Sequence, residues 1–482
     1  MVGTTHTAST STSPAGQEPF SRVAPVLAAA LLLGAGGGFV LATTLTLTSA
    51  LNVPLGVWWF ALAQAHGHLQ VYGWAGLFVI GVALHFVPRL MGRRLAGARL
   101  VPWILAMLVT SLVLRAICQP LASTDTSMFI AAGLVISGLL ECAALAGVVA
   151  IVGLTAWRVP SLSGRTALWS IWPFVVAAFA SLALASVVNL ANMLRLAGAT
   201  SALVPANGDA LDVTLGLFGF LVPMALAMSA RALPMYAGLD AFPRRALWPL
   251  AWGYISGLVL ICAGDLFTGN TWSRVQGLGE VLVGLTVFAF VGMFVRLMSS
   301  RGKIPRRVAA LSPEPEQLAR QYVSKVASER ANYGPYVALI GSAYSWAILG
   351  GVLFIIDGLG VLISAEPFVS MDAIRHTFAI GFIALLICGV SSRMIPGFAG
   401  KSITSPKLVW TLLWVGNAAA ILRVGALLFN PLLTQLGTAG AAIDSIAFGL
   451  SGPLGLTLAI CLAWNLWPTV VPGRAGAAGK VS

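Results

Sequence analysis

Five histidines occur among 482 residues, and four of them, His66, His68, His85 and His376, fall in or beside long apolar runs. An imidazole is costly to hold in hydrocarbon, so each needs a hydrogen-bond partner or a metal. Neutral imidazole is a strong axial ligand for haem iron. One histidine from each of two helices is the simplest way to hold a haem edge-on in a helical bundle. His66 and His68 open the second apolar run and His376 opens the tenth, at similar depth if successive runs alternate in direction. This placement predicts His68 and His376 as axial ligands of one b-type haem. Residues two apart point roughly 200° apart on a helix, so His66 and His68 cannot both face the iron that His376 faces. The other histidine is left for a second haem, for a copper ion, or for a hydrogen bond to a propionate or the backbone. Haem propionates need cations, and Arg115, Arg423 and Arg375 fall on the same side of the membrane as the histidines. Snorkelling to lipid headgroups is the alternative role for these arginines.

The elements that must position these residues follow from composition. The chain is 58% hydrophobic and only 9% charged, with 52 Gly, 25 Pro and 15 Trp, and its mean hydropathy is +0.91. That excludes a soluble globule, a coiled coil and a disordered chain, and predicts an all-α polytopic membrane protein. Twelve apolar runs lie near 23–50, 61–87, 100–119, 128–156, 167–192, 210–230, 246–267, 276–298, 335–363, 374–394, 407–425 and 440–467. Their length of about 20 residues suits membrane helices and excludes a porin-like barrel. With the N-terminus in the cytoplasm, all but Arg115, Arg195, Arg274, Arg375 and Arg423 of the 28 basic residues fall inside. The net charge of +13 then reflects the positive-inside rule rather than nucleic-acid binding, and both termini are expected in the cytoplasm. Residues 1–20 and 471–482 read as cytoplasmic tails, the first disordered. The polar loop 299–334 reads as carrying an amphipathic helix on the inner face, with Leu318, Tyr322, Val323 and Val326 at helical spacing and Glu316 paired with Arg320.

An internal repeat ties these elements together. His68 is followed by Gly73, Gly81, Pro88 and Gly92, and His376 by Gly381, Gly389, Pro396 and Gly400, at identical offsets. Thr214, Gly219, Ala227, Pro234 and Gly238 fill the same frame, so the chain reads as three parallel four-helix units, about 21–156, 167–298 and 335–467. Arg115 follows His68 and Arg423 follows His376 by the same 47 residues, whereas the middle unit keeps neither histidine nor arginine. His85 lies three residues before Pro88, where the other units carry Arg231 and Arg393, which suggests a basic inner-face anchor, with metal ligation as the alternative. It stands about 25 Å from His68 along one helix, too far to share an iron.

Three units of four helices, with histidines on the second and tenth, resemble the catalytic subunit of haem-copper oxidases and nitric oxide reductases. The run His66-Gly-His68-Leu-Gln-Val-Tyr-Gly-Trp-Ala-Gly-Leu-Phe with His85-Phe-Val-Pro-Arg, and the later His376-Thr-Phe-Ala-Ile-Gly with Ser-Arg-Met-Ile-Pro-Gly-Phe-Ala-Gly, more closely resemble the NnrS family. That resemblance implies a bacterial inner-membrane protein containing haem and copper, linked to nitric oxide metabolism and protection from nitrosative stress. It implies one or two b-type haems, nitric oxide or another diatomic ligand, a quinol or other electron-transfer partner, and haem-dependent redox chemistry. Oxidases also need three copper-binding histidines on helices six and seven, and residues 210–267 contain none. Standard oxygen reduction is therefore excluded. An electron-transfer subunit without a normal copper centre and a twelve-helix transporter remain the alternatives.

Other residues add less. Glu141 is the deepest acidic residue, either a proton or cation site or a carboxyl hydrogen-bonded between helices. Asp265, Glu280 and Asp357 fall at outer helix ends and are expected to be solvated. Gly34, Gly36, Gly37 and Gly38 suit close helix packing rather than a nucleotide loop. The five cysteines show no Cys-x-x-Cys, which argues against disulfides and covalently attached haem.

Overall fold

The computed structural model describes residues 19–471 apart from 126, 200, 238–241, 300–320, 322, 323, 325 and 326. Among these there is no strand. Twelve helices are long and apolar enough to cross a membrane: α1 Ala24–Ala50, α2 Val57–Met91, α3 Ala98–Leu121, α4 Met128–Trp157, α5 Trp172–Ala197, α6 Ala206–Pro234, α7 Arg244–Leu266, α8 Asn270–Met298, α9 Tyr336–Ser364, α10 Met371–Ala399, α11 Pro406–Gln435 and α12 Gly437–Val470. The protein is a multi-pass, all-helical membrane protein. Each apolar run yielded one helix, most of them extended by a few residues, because a helix satisfies its own backbone where lipid cannot. Glu316, Leu318, Arg320, Tyr322, Val323, Val326, Gly238 and the tail carrying His6 lie outside the described residues.

Burial separates the helices into two shells. The most apolar 18-residue stretch of α2, α6 and α10 is 89%, 83% and 78% buried, against 33–50% for the other nine. The second, sixth and tenth helices therefore form the centre, and the rest carry exposed side chains such as Trp103, Trp157, Trp414 and Trp464. The three central helices share a local irregularity. Each widens into an eight-residue π-helical stretch at nearly the same point of the repeat frame: Leu69–Gly76, Thr214–Leu221 and Thr377–Ala384. Such turns often accompany functional sites, because they re-aim the side chains that follow and precede them. Farther along, Gly92 and Gly400 end α2 and α10 in the left-handed conformation, at φ 64° and 63°, four residues beyond Pro88 and Pro396.

Glycine permits the closest approaches. On α8 and α9, Gly277 lies against Gly358 and Gly284 against Gly351, so tightly that a Cβ at Gly284 would stand 2.6 Å from the Gly351 carbonyl. On α1 the π-helical Gly34–Gly38 stretch packs against the corresponding stretch of α2. A Cβ at Gly34 would collide with the Trp74 ring. This contact brings the Gly38 carbonyl to the first histidine of α2.

Candidate functional site

The two histidines of the His-x-His pair point into different surroundings. His68, 3% exposed, lies in a polar cluster drawn from five helices. Its Nε2 is 2.9 Å from Oε2 of Glu141 on α4, while its Nδ1 is 3.1 Å from Oδ2 of Asp212 on α6 and 2.6 Å from Nη1 of Arg115 on α3. Nε2 donates to the Glu141 carboxylate, and Nδ1 either donates to Asp212 or accepts from the guanidinium. Both ring nitrogens are thus engaged. Arg115 also donates through Nε to Gln119 Oε1 at 3.1 Å and through Nη1 to Asn189 Oδ1 on α5. The Tyr72 hydroxyl donates to Asp212 Oδ1 at 2.9 Å. Gln119 donates to Gln64, which in turn donates to the Val204 carbonyl, extending the network toward the α5–α6 connection.

This cluster is buried within the protein. Glu141, Asn189 and Gln119 have no exposed surface, and Arg115 and Asp212 have almost none. Two carboxylates beside a guanidinium and an imidazole keep it near neutrality, the condition under which buried charges survive. Glu141 bonds to another helix, the second of the two roles open to it from the sequence. Arg115, expected beside a propionate, is instead committed to Gln119, Asn189, His68 and Asp212.

His66 turns to the opposite side of α2. Its Nδ1 lies 2.8 Å from the Gly38 carbonyl of α1, so Nδ1–H is the donor. On α10, His376 Nδ1 lies 2.8 Å from the Asp372 carbonyl and 3.1 Å from its Oδ1, so here too Nδ1–H donates. The Nε2 of each ring has no hydrogen-bond partner among the described residues. His66 is within electrostatic reach of His376, Arg423 and Asp372. Of the pair, it is therefore His66, rather than His68, that lies on the His376 side of α2. Arg423 on α11 lies 3.5 Å from Asp372 and over the Phe448 ring, with its Nη1 buried and unpartnered. Arg375, with a buried unpartnered Nε, lies within electrostatic reach of Asp372, Asp209 and Asp265.

The repeat frame relates the two sites. In one, the frame histidine His68 meets Asp212, two residues before the frame residue Thr214 of the next central helix. In the other, His376 is near His66, two residues before His68. Each has an arginine 47 residues after its frame histidine. At the third such position Thr214 donates instead to Asp265 on α7, at 2.7 Å. That hydrogen bond, together with the burial of Glu280 and Asp357 at 1% and 2% exposure, corrects the expectation that these carboxylates are solvated. Asp357 accepts from the Val369 backbone at 2.9 Å, which compensates part of its burial.

His85 is 5% exposed, with Phe20 edge-on at 5.3 Å and Phe398 at 4.5 Å between ring centres. Aromatic packing, rather than either role inferred from the sequence, accounts for its position. No group of three His, Cys, Asp or Glu among the described residues is arranged to hold a metal ion.

A model of the NnrS protein family matches residues 154–452, well over half of the chain. The chain belongs to the NnrS family. The matched part includes Asp212, Arg375, His376 and Arg423, and begins after His66, His68, Arg115 and Glu141. The NnrS assignment thus rests on the second and third units, while the histidine pair of the first unit is tied to it by geometry. No curated protein matches the chain.

Proposed function

We propose that this NnrS protein binds a b-type haem between His66 and His376 and uses it in nitric oxide metabolism or the response to nitrosative stress. The observation that carries this reading is the matched state of the two imidazoles. Each gives its Nδ1–H to a backbone carbonyl, which fixes the tautomer, raises the basicity of Nε2 and leaves Nε2 as the ligand atom. Two such nitrogens on separate helices suit a group that brings four further ligands of its own. A bare metal ion, copper included, would find too few. The buried, unpartnered Nη1 of Arg423 suits a propionate oxygen. Iron in such a porphyrin supplies one-electron chemistry and an affinity for diatomic ligands.

The chain's own contribution is to hold and insulate. Gly38 and Asp372 orient the rings, Arg423 offers charge, and the three central helices exclude water. Since His66 and His376 would both hold the haem, electron transfer is the second reading. The asymmetry of basic residues supports a place in the bacterial inner membrane with both termini in the cytoplasm. Optical spectra of the purified protein with and without nitric oxide test the function. A Soret band that shifts with the gas supports nitric oxide chemistry, an unshifted band supports electron transfer, and a colourless protein contradicts both.

A further inference from the structure

A second feature of the central helices has no part in the haem proposal. Between α2, α6 and α10 lies a partly open cavity of about 80 Å³, its lining apolar apart from Ser229. Its walls follow the repeat frame. Phe78, Met224 and Leu386 occupy one position of the frame, ten residues beyond His68, Thr214 and His376, and Val79, Ala225 and Ile387 the next. The cavity therefore lies along the line where the three units meet. Ten residues at about 1.5 Å each put it roughly 15 Å along the helices from the frame histidines.

Its far end is closed. Phe86, Ala232 and Met394, again at one shared position of the frame, form a small buried cluster. Beyond them Phe20, His85 and Phe398 stack across the end of the bundle. A space with almost no polar partner holds water poorly, and apolar cavities of about this size take xenon or comparably small apolar molecules. At about 80 Å³ it is too small for an acyl chain or a quinone ring, but large enough for a diatomic gas.

We infer that this cavity is a binding site for a small apolar gas, and that nitric oxide is its natural occupant. Only the identity of the gas rests on the proposed function; the site itself rests on the cavity's lining and size. Nitric oxide, being small and nearly apolar, would enter from the bilayer and dwell in the cavity away from the histidines.

Xenon tests the site without any need for haem. In ¹²⁹Xe magnetic resonance, the detergent-solubilised full chain should give a saturable bound-xenon signal that disappears in both Ala225→Phe and Val79→Phe. Infrared spectra of His376→Ala under nitric oxide should show a band of uncoordinated gas, and Ala225→Phe added to that chain should remove it. A wild type that binds no xenon, or xenon binding unaffected by both substitutions, overturns the site. Xenon binding without retention of nitric oxide overturns the identity of the occupant. A colourless wild type that still binds xenon removes the haem proposal and leaves the gas site standing.

Discussion

The two histidine sites on α2 are built to one plan and have different chemistry. Each takes a frame histidine, an arginine 47 residues later and a side chain two residues before the frame position on the neighbouring central helix. Around His68 that third side chain is Asp212, and the network closes on itself, with both imidazole nitrogens engaged. Around His376 the third side chain is His66, and two ring nitrogens and a guanidinium nitrogen are left without partners. Exchanging one carboxylate for one imidazole separates a polar latch from the proposed haem site. Holding His68 to α3, α4 and α6 also fixes the rotation of α2, and so the direction in which His66 points.

Arg115→Met breaks this comparison most severely. It removes the guanidinium beside Asp212 and leaves His68 alone against two buried carboxylates, and breaking a buried pair of this kind costs about 3–5 kcal/mol. The expected outcome is loss of monodisperse protein on size exclusion. Arg423→Met should leave the chain folded, with a lowered haem occupancy measurable by pyridine haemochromogen, since Arg423 is only partly buried and makes one longer ion pair. Glu141→Gln should keep a hydrogen bond to His68 and lower thermal stability by about 1.5–3 kcal/mol, the usual range for a charged hydrogen bond. Tyr72→Phe removes one neutral donor to Asp212 and should cost about 1 kcal/mol in a thermal melt, with pigment unchanged.

Much of this architecture was legible in the sequence, because apolar length and basic asymmetry follow from the bilayer itself. The twelve runs became twelve helices, and the repeat frame located His376, Arg115 and Arg423. What the sequence could not supply was the rotation of α2. Two-residue spacing places His66 and His68 on opposite faces, but which face meets α10 depends on π-helical turns and on partners far away in the chain. Asp212 carried a usable signal: it precedes Thr214 by two residues, as His66 precedes His68. Asn189, Glu280 and Asp357 carried none, since the period of a helix does not reveal the inward neighbour of a polar residue.

Haem content and electron-paramagnetic-resonance spectra of purified His66→Ala, His68→Gln and His376→Ala, compared with wild type, test the assignment of the ligands most directly. The account predicts that wild type carries a low-spin bis-imidazole haem, that His66→Ala and His376→Ala both lose it, and that His68→Gln retains it with lower stability. Loss of that signal in His68→Gln, with His66→Ala unaffected, would contradict the account and return the axial position to His68.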